Sequence, residues 1–221
     1  GVDSVISLDL QPPGEGQVEG FFGASVRVDN LRSTAAAVEL LSAHPELKKT
    51  AIVAESEPCV ELAHDVRSGL ERATKQYIPF AVIAKTDSVR PGPRRREVVG
   101  DVEGCDVVIV GDLIDTALTI VRSVKALKAA GARSVRVFAT HAVFSKDALE
   151  LLSECKDLAE VIVTNTIPLS PDSEDVHKIS QLSVAPLLAS SISRAHRRQS
   201  LQALRVYDRE NMRPRYGGQE G

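Results

Sequence analysis

Short runs of β-branched and aliphatic residues alternate with stretches whose apolar positions recur at helical spacing, through most of the chain. The first run predicts a strand over residues 5–10. A Pro/Gly-rich stretch at 11–16 comes next, and then the segment Gly20-Phe21-Phe22-Gly23. A helix is expected from Ser33 to the His44-Pro45 step, because proline disfavours helical geometry in the residue before it. Residues 50–54 read as a buried strand, 58–75 as a helix with proline in its first turn, and 80–84 as the next strand. Residues 85–97, with Pro91-Gly92-Pro93 and Arg94 to Arg96, form the least regular stretch. Beyond it the pattern predicts a strand at 106–110, then a helix whose face carries Ala117, Ile120, Val121, Val124 and Leu127 and which stops at Gly131. Strands at 134–140, 160–164 and 179–184 alternate with helices at 146–155 and 185–198, and a polar, Gly-rich tail begins at Asp208.

Strands joined by crossover helices are parallel neighbours with helices on both faces, so the expected class is α/β, doubly wound. Such sheets take ligands beyond the C-terminal ends of their strands. Composition narrows the function classes. The chain has 221 residues, 43% of them hydrophobic, enough for a substantial core in one or two domains. A formal net charge of −3 and a pI near 6.0 argue against general nucleic-acid or membrane binding. Three cysteines with no C-x-x-C pair argue against a disulfide framework or zinc site and for a reducing compartment. With neither a spanning apolar run nor a signal-peptide pattern, the expected location is cytoplasmic. A strand so close to residue 1 reads as a fragment or a truncated homologue.

The segment richest in chemistry is the strand from Val107 to Val110 together with its continuation, Gly111-Asp112-Leu113-Ile114-Asp115-Thr116-Ala117-Leu118-Thr119. Backbone N–H groups at a helix N-terminus lack intrahelical partners and carry partial positive charge. A phosphate can sit there, with the Thr116 and Thr119 hydroxyls as further donors and Asp112 and Asp115 facing sugar hydroxyls or a magnesium ion. Equally, Asp115 or Thr116 could simply cap the helix, which needs no ligand.

This segment resembles the PRPP-binding motif of phosphoribosyltransferases, Asp-Asp-x-x-Asp-Thr-Gly/Ala-Gly-Thr after an aliphatic strand. The resemblance extends to the C-terminal portion of ribose-phosphate pyrophosphokinases (PRPP synthetases). It runs through Val5-Ile6-Ser7-Leu8-Asp9-Leu10-Gln11, Gln17-Val18-Glu19-Gly20-Phe21-Phe22 and Val28-Asp29-Asn30-Leu31. It continues through Ala139-Thr140-His141-Ala142-Val143-Phe144-Ser145, Val163-Thr164-Asn165-Thr166-Ile167-Pro168 and Ser183-Val184-Ala185-Pro186-Leu187-Leu188-Ala189. The resemblance implies a type I phosphoribosyltransferase-like sheet and the reaction of ATP with ribose 5-phosphate to give PRPP and AMP in nucleotide biosynthesis. By the same resemblance, Asp112, Asp115, Thr116, Ala117, Leu118 and Thr119 bind substrate, Lys85 is catalytic, and Asp9 and Asp29 are associated with Mg²⁺. It also implies domains at 1–30 (a remnant of an N-terminal domain), 31–200 (phosphoribosyltransferase-like) and 201–221 (a C-terminal strand and polar tail). Assembly would be a homo-oligomer, or a hetero-oligomer with a catalytic homologue, with Phe21-Phe22 as a candidate contact; burial of that pair in the core is the equal alternative.

Several family positions are altered. Gln11 replaces a metal-associated histidine, and Asp87 stands where the mobile loop carries an arginine, which Arg90 or one of Arg94 to Arg96 could replace. The Gly-rich pyrophosphate loop aligns with Ala54-Glu55-Ser56-Glu57-Pro58-Cys59, placing two acids beside an anion site. Gly111 replaces the first acid of the central motif, Leu118 replaces its second glycine and could crowd a phosphate, and His141 reads as a buried, satisfied histidine. The family's adenine-binding segments precede the residue aligned with Gly1, so ATP binding is expected only with those segments. The expectation is therefore a family member with little synthetase activity by itself. The alternatives are a non-catalytic PRPP-synthetase-associated regulatory subunit and a bare ribose-phosphate-binding module.

Overall fold

A computed structural model of the chain describes residues 2–10, 21–23, 25–44, 47–86 and 95–204. Its order is β1 (Ser4–Leu8), β2 (Arg27–Leu31), α1 (Thr34–Ala43), β3 (Thr50–Ala54), α2 (Val60–Thr74), β4 (Phe80–Thr86), β5 (Arg95–Val99) and β6 (Asp106–Ile114). The chain continues with α3 (Leu118–Ala129), β7 (Ser134–Ala142), α4 (Ala148–Glu154), β8 (Leu158–Thr164), α5 (Pro171–Glu174), β9 (Ile179–Leu182) and α6 (Ala185–His196). Seven strands make one sheet in the order β5-β4-β3-β6-β7-β8-β9, while β1 and β2 pair in parallel as a separate two-stranded sheet.

The central strands are aliphatic on both faces because helices cover both, and their two-residue period sorts the core into two layers. Ala51, Val53, Val107, Ile109, Val135 and Val137 pack against Val124 and Leu127 of α3 and Leu152 of α4. The intervening residues Ile52, Ala54, Val108, Val110 and Phe138 pack against Val38 and Leu41 of α1 and Leu62 and Val66 of α2. A Cβ on Gly69 of α2 would lie 2.5 Å from Val38 Cγ2, so this glycine lets α2 approach α1 closely. Leu8, Leu31, Ala35, Leu187 and Leu204 form a third cluster joining the small sheet to α1 and α6.

The doubly wound expectation holds, with one correction. β5 runs antiparallel to β4, with Ile83 opposite Val98, so residues 95–97 of the stretch read as irregular are an edge strand. Residues 87–94, with Asp87, Arg90 and Arg94, lie outside the described residues, as do Gln11 and the tail from 205. Other boundaries move. β6 continues past Val110 to Ile114. Pro58 sits in a 3₁₀ turn, Glu57–Cys59, ahead of α2 rather than inside it. Residues 202–204 form a 3₁₀ turn.

The N-terminal edge of the sheet is pinned at Asp106, which is buried. Its carboxylate accepts from the backbone N–H of Lys48, from the Ser134 hydroxyl and from the Arg133 guanidinium. The hydrogen-bonded guanidinium of Arg133 holds the Asp106 carboxyl well below the usual carboxylate range, outweighing the desolvation that opposes it. At the opposite edge the chain direction switches: from β3 it winds out to β4, and from the neighbouring β6 it winds the other way. Ligand clefts form at such switch points because the two connections leave in opposite directions.

Candidate functional site

A cleft of about 360 Å³ opens at that switch point, at the C-terminal ends of β3 and β6. Its wall is the turn from β6 into α3, including Asp112, Asp115, Thr116, Ala117 and Thr119, with Glu55 of the β3–α2 turn opposite. The carbonyls of the β6–α3 turn are consumed from behind. Ile114 O accepts from the N–H groups of Val143 and Phe144, both at 3.0 Å, and Asp115 O accepts from Ser145 N–H. The Ser145 hydroxyl also donates to the Asp115 carboxylate.

Ala117 is the N-cap of α3, in the left-handed region at φ 60, and no side chain caps the helix. The capping expectation for Asp115 or Thr116 is thereby corrected. The Ala117 carbonyl receives the Val121 N–H, while the first N–H groups of α3 keep the partial positive charge of a helix start. Leu118 is exposed and absent from the cleft lining, so its side chain does not crowd the site as expected; its backbone N–H remains at the helix start.

Asp112 receives the thiol of Cys59 across 3.6 Å, and the Ser56 hydroxyl reaches the same sulfur at 3.4 Å. Burial pushes the Cys59 thiol up to about 11, so it is a neutral donor and not a nucleophile near neutral pH. Glu55 lines the cleft, whereas Glu57 is exposed and takes no part in the lining. Arg96 of β5 lies 3.4 Å from the Glu55 carboxylate, with 10% and 15% of the two side chains exposed. Arg96, from the Arg94 to Arg96 run, thus pairs with an acid of the cleft without being one of its lining residues.

Other candidates lie elsewhere. Asp9 follows β1 and is buried, and its Oδ2 accepts from Ser33 N–H (3.0 Å) and the Thr140 hydroxyl (2.7 Å). Asp29 pairs with Arg27 at 2.8 Å. Among the described residues no group of three or more His, Cys, Asp or Glu is placed to hold a metal ion. Asp9 ties the small sheet to Ser33 at the start of α1 and to β7. The backbone of Lys85 lies in β4, opposite Arg96. His141 is half-buried and bonds Thr166 Oγ1 through Nδ1 at 2.9 Å. Phe21 is 77% exposed and Phe22 39%, against their burial in the core. Sequence reasoning missed Cys59 and Ser145 as partners of the cleft acids, because separations of 53 and 30 residues leave no local signal.

Known proteins are similar to this chain in sequence and in fold. Residues 75–205 match the family described as the phosphoribosyl synthetase-associated domain. The ribose-phosphate pyrophosphokinase of Vibrio cholerae is 37% identical over 207 residues, covering 92% of this chain and 61% of the relative. That of Shewanella oneidensis is 35% identical over the same length and shares. The crystal structure of phosphoribosylpyrophosphate synthetase from Mycobacterium smegmatis superposes with a TM-score of 0.75 at 33% identity, over 90% of this chain and 60% of that one. The chain thus spans about three-fifths of the length of the relatives it matches.

Proposed function

The chain belongs to the ribose-phosphate pyrophosphokinase (PRPP synthetase) family, which it matches through the phosphoribosyl synthetase-associated domain, and from that premise we propose that the β6–α3 turn binds the phosphate of ribose 5-phosphate. One observation carries this reading: a left-handed Ala117 opens α3 into the cleft without a side-chain cap. Backbone N–H groups of Leu118 and Thr119 and the hydroxyls of Thr116 and Thr119 then serve the phosphate, and Asp112 and Asp115 serve the ribose hydroxyls.

The reaction class is that of the family: transfer of a diphosphoryl group from ATP to the sugar, giving PRPP and AMP in the cytoplasm. Such transfer depends on positioned cations. Lys85 is the retained candidate. Magnesium would neutralise phosphate charge in this class of reaction, with Asp9 and Asp29 as the candidate acids for it. Glu55 in the cleft favours a second reading, a non-catalytic subunit that assembles with a catalytic homologue, with exposed Phe21 as a candidate contact. Under either reading the chain by itself has little synthetase activity. AMP release from ATP that depends on ribose 5-phosphate would contradict that statement.

Calorimetric titration of ribose 5-phosphate into the chain, with magnesium present, tests the binding. Saturable binding that disappears in Thr116→Pro is the expected result. An unresponsive wild-type chain would remove the basis for a phosphate loop.

A further inference from the structure

The C-terminal end of α6 carries a motif that the cleft does not use. The helix ends at His196, and the chain leaves it through Arg197-Arg198-Gln199-Ser200-Leu201. Arg198 sits in the left-handed region at φ 56, its N–H donating to Ala195 O at 3.1 Å and the next N–H, of Gln199, to Arg194 O at 2.8 Å. Glycine is the usual residue at this place of a helix end. An arginine here goes against local preference, and such departures gather at functional positions. Arg197, Arg198, Gln199 and Ser200 are all exposed. Leu201 and Leu204, by contrast, are buried in the cluster that holds Leu8 and Leu31 of the small sheet and Leu187 of α6. Ser200 thus stands on the surface just ahead of a buried anchor. Its hydroxyl accepts the Gln202 N–H at 3.1 Å, and its carbonyl accepts from Arg194 Nη1 at 3.2 Å.

We propose that Ser200 is a phosphorylation site for a serine kinase that reads arginines, and that its phosphate clasps the turn at 202–204 onto the small sheet. Recognition comes from charge. Arginines three and two residues ahead of a serine, with an apolar residue after it, suit a kinase whose substrate groove is acidic. No other serine or threonine in the 221 residues follows two arginines at that spacing. In the transfer, the Ser200 hydroxyl oxygen bonds to the γ-phosphorus of ATP, the bond from that phosphorus to ADP breaks, and the hydroxyl proton passes to the kinase's base. Leu201, the apolar residue of the motif, is buried, so the turn lifts for the transfer and reseats afterwards. The phosphate brings about two negative charges at neutral pH and three acceptor oxygens. These find the Gln202 N–H and the Arg194 guanidinium already at Ser200, and the resulting charge-assisted bonds hold the turn down. Nothing in this site depends on what the cleft binds.

The test incubates the chain with ATP, magnesium and a purified protein kinase of Arg-Arg-x-Ser preference, and locates the product by mass spectrometry. Circular dichroism and thermal melts establish that each variant is folded. A single phosphate at Ser200 is expected, absent from Ser200→Ala and incorporated on the order of tenfold more slowly in Arg197→Gln/Arg198→Gln. Amide hydrogen exchange across residues 201–204 should slow by about threefold once Ser200 is phosphorylated. The same phosphate on Arg194→Gln should give a smaller slowing. A folded wild-type chain left unmodified at Ser200, or an arginine variant modified as fast as wild type, would overturn the site. Exchange that is unchanged or faster after phosphorylation would overturn the clasp, as would slowing of the same size in Arg194→Gln.

Discussion

The turns that leave β3 and β6 occupy equivalent places: adjacent parallel strands, the same edge of the sheet, a helix soon after. The β6–α3 turn bends through a left-handed alanine, has its carbonyls tied from behind by residues 143–145, and offers backbone N–H groups to the cleft. The β3–α2 turn leads through a 3₁₀ turn containing Pro58 and presents a carboxylate held by Arg96. One turn brings a helix start to the cleft and the other brings an acidic residue, Glu55. A shared position in the fold fixes where chemistry can occur and leaves its sign to a few residues.

The largest expected effect separates the strands from their turns. Asp106→Asn removes the charge that pins the N-terminal edge of β3 and β6, at a cost of about 3 kcal/mol in unfolding free energy from weakened charge-assisted hydrogen bonds. Ribose 5-phosphate binding should survive it, because the cleft lies at the opposite edge. The same residue gives an acid signature. Its folded carboxyl is depressed, so its stabilisation is fully present above the unfolded carboxylate value near 4 and is lost as pH falls through the lower folded value. Denaturant titrations of wild type and Asp106→Asn should converge as the pH drops below about 4.

Next comes Ala117→Val. A β-branched residue at φ 60 is strained by roughly 2 kcal/mol, and the thermal midpoint should fall by several degrees. Unlike Asp106→Asn, it should also abolish ribose 5-phosphate binding, because it distorts the turn itself. A variant that melts early yet binds normally would break the distinction. Gly69→Ala should cost about 1–2 kcal/mol by pressing a methyl group on Val38 and should shift α2 without touching the β6–α3 turn. The smallest effect belongs to Gly111→Ala, whose added methyl makes ordinary contact with Glu55. Chemical denaturation should place it within about 0.5 kcal/mol of wild type.

Much of the fold was legible because the central strands are continuous aliphatic runs. Residues 50–54 and 106–110 had to be buried on both faces, and the helical face through Ile120, Val124 and Leu127 had to cover one of them. The segment from Asp112 to Thr119 announced a strand-to-helix turn by its composition. β5 escaped because Arg95, Arg96 and Glu97 carry no aliphatic signature; the strand exists through its pairing with β4. The left-handed state of Ala117 escaped because alanine has no preference for it, and surrounding bonds impose it. A polar residue at the end of β1 hid a buried carboxylate, Asp9, whose partners Ser33 and Thr140 are 24 and 131 residues away. The pair of Glu55 with Arg96 spans 41 residues, so charge alone could place an acid near the cleft but not its counter-ion.

The most direct measurement is an amide-resolved NMR titration of the chain with ribose 5-phosphate. The account predicts the largest shift changes at the backbone amides of Thr116 to Ile120, with smaller changes in the turn at Glu55 to Cys59. Changes centred on the β3–α2 turn, or an unaltered β6–α3 turn at saturating ligand, would contradict it.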